Sequence, residues 1–409
     1  MVAAVALDAG DLPFGGALLA LLRPTLDRLA PGGVVAILSR SRAVAEDLPS
    51  WCRVERHPYL GAEPLAGGLT RHLVERGPLG VPAPATAPGQ LQGKLSTAAL
   101  LAAVPMPARA DAATGFAPRG ARVEPGGPVY PFALVERDRV APPEVGSLYD
   151  QAVAGVWDAT RDIPWSEVRR LPAPLEEAVG QIMSFLAENE LSALYVPARF
   201  LPQIHPAYAE VAMLLAAQMA DEARHIDVFM KRAHAAGGRP GVSSAITSRS
   251  LLALLAASDF TEATFLLSVL GEGTFLDLLR FVEEHAPDAA TAELARRARV
   301  DEARHVHFGL AHVRHGLATD PTLGARLEAS VRRRSANLHG AGGVPAPLID
   351  ALTIYAARGI DPTALARGEE AVRELLHTMG ENRQKRLLHA GFSPEAAALL
   401  SDLHTPNFM

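Results

Sequence analysis

The chain has 409 residues, above the size at which a single hydrophobic core stops growing, so two folded units are expected. Hydrophobic residues make up 49% and charged residues 21%, a globular balance that excludes a disordered or fibrous chain. A net charge of −6 gives no overall attraction to nucleic acid or to an anionic membrane, and one cysteine, Cys52, excludes disulfide frameworks and cysteine-rich zinc or iron–sulfur sites.

In chain order, MVAAVALDAGDL lacks the basic n-region of a signal peptide and meets Asp8 too early. No stretch has the length of uncharged apolar sequence that a membrane span needs, so a soluble, cytoplasmic protein is expected. Val2–Leu7 is short and apolar, Ala17–Leu29 repeats leucine at helical spacing, and the β-branched run from Val34 to Leu38 follows a Pro-Gly-Gly turn, a β-α-β pattern. A short helix over Ala43–Asp47, a third strand over Cys52–His57 and a fourth element of undecided type over Thr70–Glu75 complete a small α+β domain over residues 1–79. Residues 80–142 are rich in Pro, Gly and Ala and read as a linker with one short helix near Leu95–Ala103. From 143 to 409 the pattern is helical, punctuated by prolines at 202–206, 240, 287 and 321 and by the stretch 340–347.

Residues 3–78, with LDAGDL, the helix LLALLRPTLDRLAPGGVVAIL and the later runs VAEDLPSWCRVERHPYLG and GGLTRHLVERG, resemble the TusA-type sulfur-carrier family. In that family a Cys-Pro pair opens the first helix and carries a persulfide; the matching positions here are Phe14 and Gly15. The resemblance therefore implies a degenerate TusA-like domain that keeps the fold without its nucleophile. Cys52, at the start of a predicted strand, reads as a small buried hydrophobe.

The chemistry concentrates in a pentapeptide that occurs twice, Asp221-Glu222-Ala223-Arg224-His225 and Asp301-Glu302-Ala303-Arg304-His305, each inside an apolar helical pattern. Residues i and i+3 of a helix lie about 60° apart around its axis, so Glu222 with His225, and Glu302 with His305, can converge on one ion. A single copy would read as a solvated salt-bridged face. Two copies permit a test: each needs a partner glutamate level with it on the preceding antiparallel helix. Counting out from turns near Ile204 and Pro287 places Glu190 level with Glu222, and Glu272 level with Glu302. Glu188 competes with Glu190 on height, whereas Glu262 is far from level, and an unpaired carboxylate at Glu272 in its apolar helix would be costly. Four buried carboxylates would repel one another and lose hydration, and two divalent ions cancel their formal charge.

This set, from about Leu148 to Gly316, resembles the ferritin-like dimetal-carboxylate superfamily: mainly α, a four-helix bundle with extra C-terminal helices. The resemblance implies Glu190, Glu222, His225, Glu272, Glu302 and His305 as metal ligands and catalytic centre. It implies Asp221 and Asp301 as acceptors for the free histidine nitrogens, with Arg224 and Arg304 as their charge partners. Phe229 stands where the ribonucleotide reductase radical subunit carries its tyrosine, and Leu276 where multicomponent hydroxylases carry a threonine, so both close matches are disfavoured. His307, His312 and His315 follow His305 on other faces, and Tyr195 and Tyr208 read as core or rim aromatics.

The resemblance implies an O2-dependent non-haem diiron oxidase or oxygenase (a monooxygenase among the possibilities) with two iron ions and O2 as co-substrate. Its organic substrate would be small or carrier-delivered, sulfur- or nitrogen-containing among the options, with an electron donor or carrier protein as partner and a homodimer as assembly. The alternatives are a Mn/Fe ligand-binding oxidase and a non-catalytic metal-binding or docking protein.

Overall fold

The computed structural model describes residues 3–78, 95–124, 126–338 and 344–404, which separate into two compact units, 1–90 with 111–130 and 91–110 with 131–409. Part of the stretch read as a linker therefore lies outside the described residues. No helix is long and apolar enough to cross a membrane among the described residues.

In the first unit, β1 (Val5–Gly10), α1 (Gly16–Asp27), β2 (Val34–Ser39), α2 (Arg42–Val54), β3 (Tyr59–Pro64) and β4 (Thr70–Glu75) form a four-stranded sheet of order β1-β2-β4-β3 with two helices. β1 runs parallel to β2, and β4 pairs antiparallel with both β2 and β3. α1 buries Leu18, Leu22 and Leu26, and α2 buries Val44, Leu48 and Cys52, each set repeating every four residues on one helical face. That repeat corrects two expectations. The helix does not stop at Asp47, and Cys52 closes its apolar stripe; the third strand begins only at Tyr59, after the positive-φ residue Arg56 turns the chain. Thr70–Glu75 is a strand.

The second unit is helical: α3 (Thr97–Ala103), α4 (Val145–Ala154), α5 (Ala173–Phe200), α6 (Ala209–His234), α7 (Ala245–Leu255), α8 (Phe260–Thr264), a π-helical segment (Phe265–Glu272), α9 (Gly273–Glu284), α10 (Ala289–Thr319), α11 (Leu323–Leu338), α12 (Ala346–Ala357), α13 (Pro362–Ala390) and α14 (Pro394–His404). Short connections make α5 and α6, and α9 and α10, antiparallel neighbours; α6 also packs on α10. α12 lies on α5, and α13 on α9 and α12, so the C-terminal helices cover the outside of this core. Within the stretch 80–142, Ala110, Val140 and Ala141 are buried in the same core, and Asp150 accepts from the Thr97 amide at the start of α3 (3.0 Å).

The helix starts are specified locally. Asp259, Asp288 and Asp361 each cap a helix with a side-chain oxygen on the amide three residues on, which fixes where α8, α10 and α13 begin. Gly309 lets α10 approach the π segment, because a Cβ there would sit 2.6 Å from the Ser268 Cβ.

Candidate metal centre

α6 buries Leu214, Leu215, Gln218, Asp221, Glu222, His225, Val228 and Phe229 in one continuous stripe at three- and four-residue spacing, so Glu222 and His225 face the core as directly as the leucines do. α10 does the same with Leu294, Ala298, Asp301, Glu302 and His305. Glu190 comes from the buried face of α5, and Glu272 is the last residue of the π segment. π-helical turns are rare and concentrate at functional sites.

The structure brings all six residues singled out by their spacing into two overlapping groups. Glu190, Glu222, His225 and Glu302 form one, and Glu222, Glu272, Glu302 and His305 the other; within each, one ligand atom per residue lies within 4.8 Å of the rest. Glu222 and Glu302 belong to both. His225 Nδ1 lies 3.1 Å from Glu222 Oε2, 3.3 Å from Glu302 Oε1 and 3.6 Å from Glu190 Oε1; His305 Nδ1 lies 3.0 Å from Glu222 Oε1 and 3.4 Å from Glu302 Oε2. Glu222 and Glu302 have no solvent exposure at all.

The aspartates work crosswise. His225 Nε2 donates to Asp301 of α10 and His305 Nε2 donates to Asp221 of α6, both at 3.2 Å, so each pentapeptide orients the histidine of the other. Arg224 bonds Asp221, and Arg304 bonds Asp301 and reaches Asp221 at 3.3 Å. Two supports carried no sequence pattern. Trp157 donates its indole N–H to Asp301 Oδ2 (2.7 Å) and stacks near His225 with centroids 6.4 Å apart, and Gln218 Nε2 donates to Glu272 Oε1 (3.0 Å).

Electrostatics divide the cluster. Burial, reinforced by the negative charges of Glu302 and Glu222, pushes Glu190 well above the usual carboxylate range; burial and the Glu302 charge do the same to Glu272. Burial acts on Glu222 in the same sense, but the neighbouring His305 and His225 outweigh it and hold Glu222 below that range. Burial opposes charge on both imidazoles, yet both are held well above the ordinary histidine value. The carboxylates of Asp301, Glu190 and Glu222 facing its two nitrogens do this for His225, and the charges of Glu222 and Glu302 do it for His305. Asp301 drops to about 2: burial is outweighed by its bonds to His225 and Trp157 and by the Arg304 charge.

Many polar atoms here have no hydrogen-bond partner: Glu190 Oε1, Glu222 Oε1, Glu272 Oε2, both oxygens of Glu302 and Nδ1 of His305. Buried acceptors aimed at one another are unfavourable unless a cation lies between them. Carboxylate oxygens with imidazole nitrogens are the donor set of iron and manganese, so the residues present fit a pair of such ions.

Other residues weighed from the sequence fall elsewhere. Glu188 accepts from Ser243 Oγ (2.6 Å), and Glu262 pairs with Arg333 (3.2 Å). His307 is exposed, His312 is buried against Thr261 Oγ1 (3.0 Å), and His315 pairs with Asp138 (3.3 Å). Tyr195 is exposed, and Tyr208 is buried with its hydroxyl on the Val135 carbonyl (2.7 Å). Phe229 packs 6.2 Å from the His225 ring.

No protein-family profile matches the chain, and no curated protein matches it. Among solved structures, it is similar to an R2-like ligand-binding oxidase. One variant with an aerobically reconstituted Mn/Fe cofactor shows 18% identity over 62% of this chain and 95% of that one, with a TM-score of 0.48. A structure with an aerobically reconstituted metal cofactor after photoconversion shows 18% identity over 61% and 93%, with a TM-score of 0.47.

Proposed function

We propose that the chain is a ferritin-like dimetal oxidase or oxygenase that uses O2 on a small organic substrate. The observation that supports this best is the symmetric pair of Glu-x-x-His helices whose buried carboxylate oxygens point at one another without hydrogen-bond partners. Glu190 and His225 would hold one ion, Glu272 and His305 the other, and Glu222 and Glu302 would serve both. Two such ions, iron with iron or manganese with iron, supply the electrons for reducing O2 when bound.

The chain's own residues do the rest. The Asp301–His225 and Asp221–His305 bonds fix each ring so that Nδ1 faces the carboxylates. Gln218 fixes Glu272. The surrounding leucines and phenylalanines exclude water, which strengthens every charge interaction inside. Metal ions would compete with the protons that burial and the neighbouring charges draw to Glu190, Glu272, His225 and His305.

For the N-terminal unit we propose a TusA-like fold without sulfur transfer. Phe14 packs against Trp51 at 6.5 Å, and burial pushes the Cys52 thiol up to about 12, far from a reactive thiolate. Its role is recruitment of a substrate or a partner. Anaerobic loading with ferrous ion followed by O2 tests the reading. Rapid O2 consumption with a transient visible band supports an oxidase, and slow featureless oxidation supports storage or docking.

A further inference from the structure

Two cavities of the helical unit share one wall. The inner one is a narrow apolar cleft of ≈ 10 Å³, space for about one water-sized molecule, lined by Val196, Phe200, Leu215, Leu267 and Phe308 among others. Its polar lining includes Gln218, which donates to Glu272 (3.0 Å), and Ser268, four residues before Glu272 on the π segment. The outer one is a polar pocket of ≈ 530 Å³ bordered by Glu136, Arg139, Asp259, Thr261 and Arg326. Phe260 lines both. Its ring is 3% exposed and is held edge-on by Phe200 (5.8 Å, 62°) and by His312 (5.1 Å, 73°), while His312 is itself tied to Thr261.

The location follows from the chain. α8 and the π segment supply Phe260, Ala263, Thr264, Leu267 and Ser268 to its lining. Its size rejects an organic molecule but accepts a diatomic gas, and its apolar wall favours O2 over water.

Resting on the oxidase reading above, we propose that this cleft is the path by which O2 reaches the Glu272 side of the cluster, with Phe260 as the residue that sets its width. Phe260 is not among the six ligands and is a positioning residue of the route. The organic substrate then has to approach from another side.

Xenon, an apolar atom somewhat larger than O2 that enters apolar clefts under pressure, tests the route without any turnover. Crystals of the full chain under xenon pressure should show one xenon beside Leu215, Leu267 and Phe308, and Phe260→Trp or Leu267→Phe should remove it. In the ferrous-loaded full chain, Phe260→Trp should slow reaction with O2 several-fold and Phe260→Ala should speed it, with iron content and circular dichroism unchanged. An O2 rate unchanged by Phe260→Trp and Leu267→Phe, or a cleft that takes up no xenon in the wild type, overturns the route. Xenon in the cleft of a chain whose bound iron never reacts rapidly with O2 overturns the oxidase reading, and with it the assignment of O2 as the gas carried.

Discussion

Two of the places where the helical unit buries charge are built on opposite principles. Arg232, with no exposure, is closed on all sides: it donates to Glu176 (2.8 Å) and Thr291 Oγ1 (2.7 Å) and pairs with Asp288 (3.4 Å), which also caps α10. That network supplies its own counter-charge. Among the described residues, the ion pairs of the Glu190–Glu222–Glu272–Glu302 cluster are with two histidines and not with arginine or lysine, and the cluster leaves oxygens unpartnered. The first stabilises the fold with what the chain contains, whereas the second leaves its charge without a counterpart, which on the reading proposed above cations supply. Burial by itself therefore does not mark a site; unbalanced burial does.

The comparison is broken most severely at the closed network. Arg232→Met leaves Glu176 and Asp288 buried and uncompensated, so thermal or denaturant unfolding should show a loss of roughly 3–5 kcal/mol, with metal content unchanged. A change of opposite sign is expected in the cluster. Glu272→Gln removes a carboxylate that burial already disfavours, so the metal-free protein should gain about 1–2 kcal/mol in unfolding experiments while metal loading falls. A loss of stability in the metal-free state would mean that the cluster is internally balanced after all.

A smaller effect sharpens the same point with a buried group that carries no charge. Burial, aided by the His315 charge, holds His312 down at about 4, below the 6.5 of an exposed histidine. Between those values the unfolded chain binds the proton and the folded one does not, so His312 contributes stability above about pH 6.5 that is lost as pH falls toward 4. His312→Gln should flatten that part of the stability-versus-pH curve.

The six cluster residues were legible because helix geometry turns spacing into direction: Glu and His three apart on a buried stripe, with partners found by counting residues from the turns. The crosswise aspartates were legible only as types, since which histidine each one reaches depends on how α6 packs on α10. Trp157 lies 144 residues from Asp301 in an irregular segment without periodicity, and nothing local announces its bond. The π segment was hidden because its residues, apolar but for Ser268 and Glu272, fit an α-helical pattern equally well. Cys52 was misplaced for a related reason: the run from Cys52 to His57 matches a short strand, and only packing of the stripe Val44–Leu48–Cys52 decides for the helix.

The central claim, that the unpartnered carboxylates hold two ions, is tested most directly by metal content per chain after loading and desalting. The measurement compares wild type with the Glu222→Ala/His305→Ala double variant at equal helix content. Two ions in the wild type and fewer than one in the variant are predicted; two ions in both would contradict the assignment.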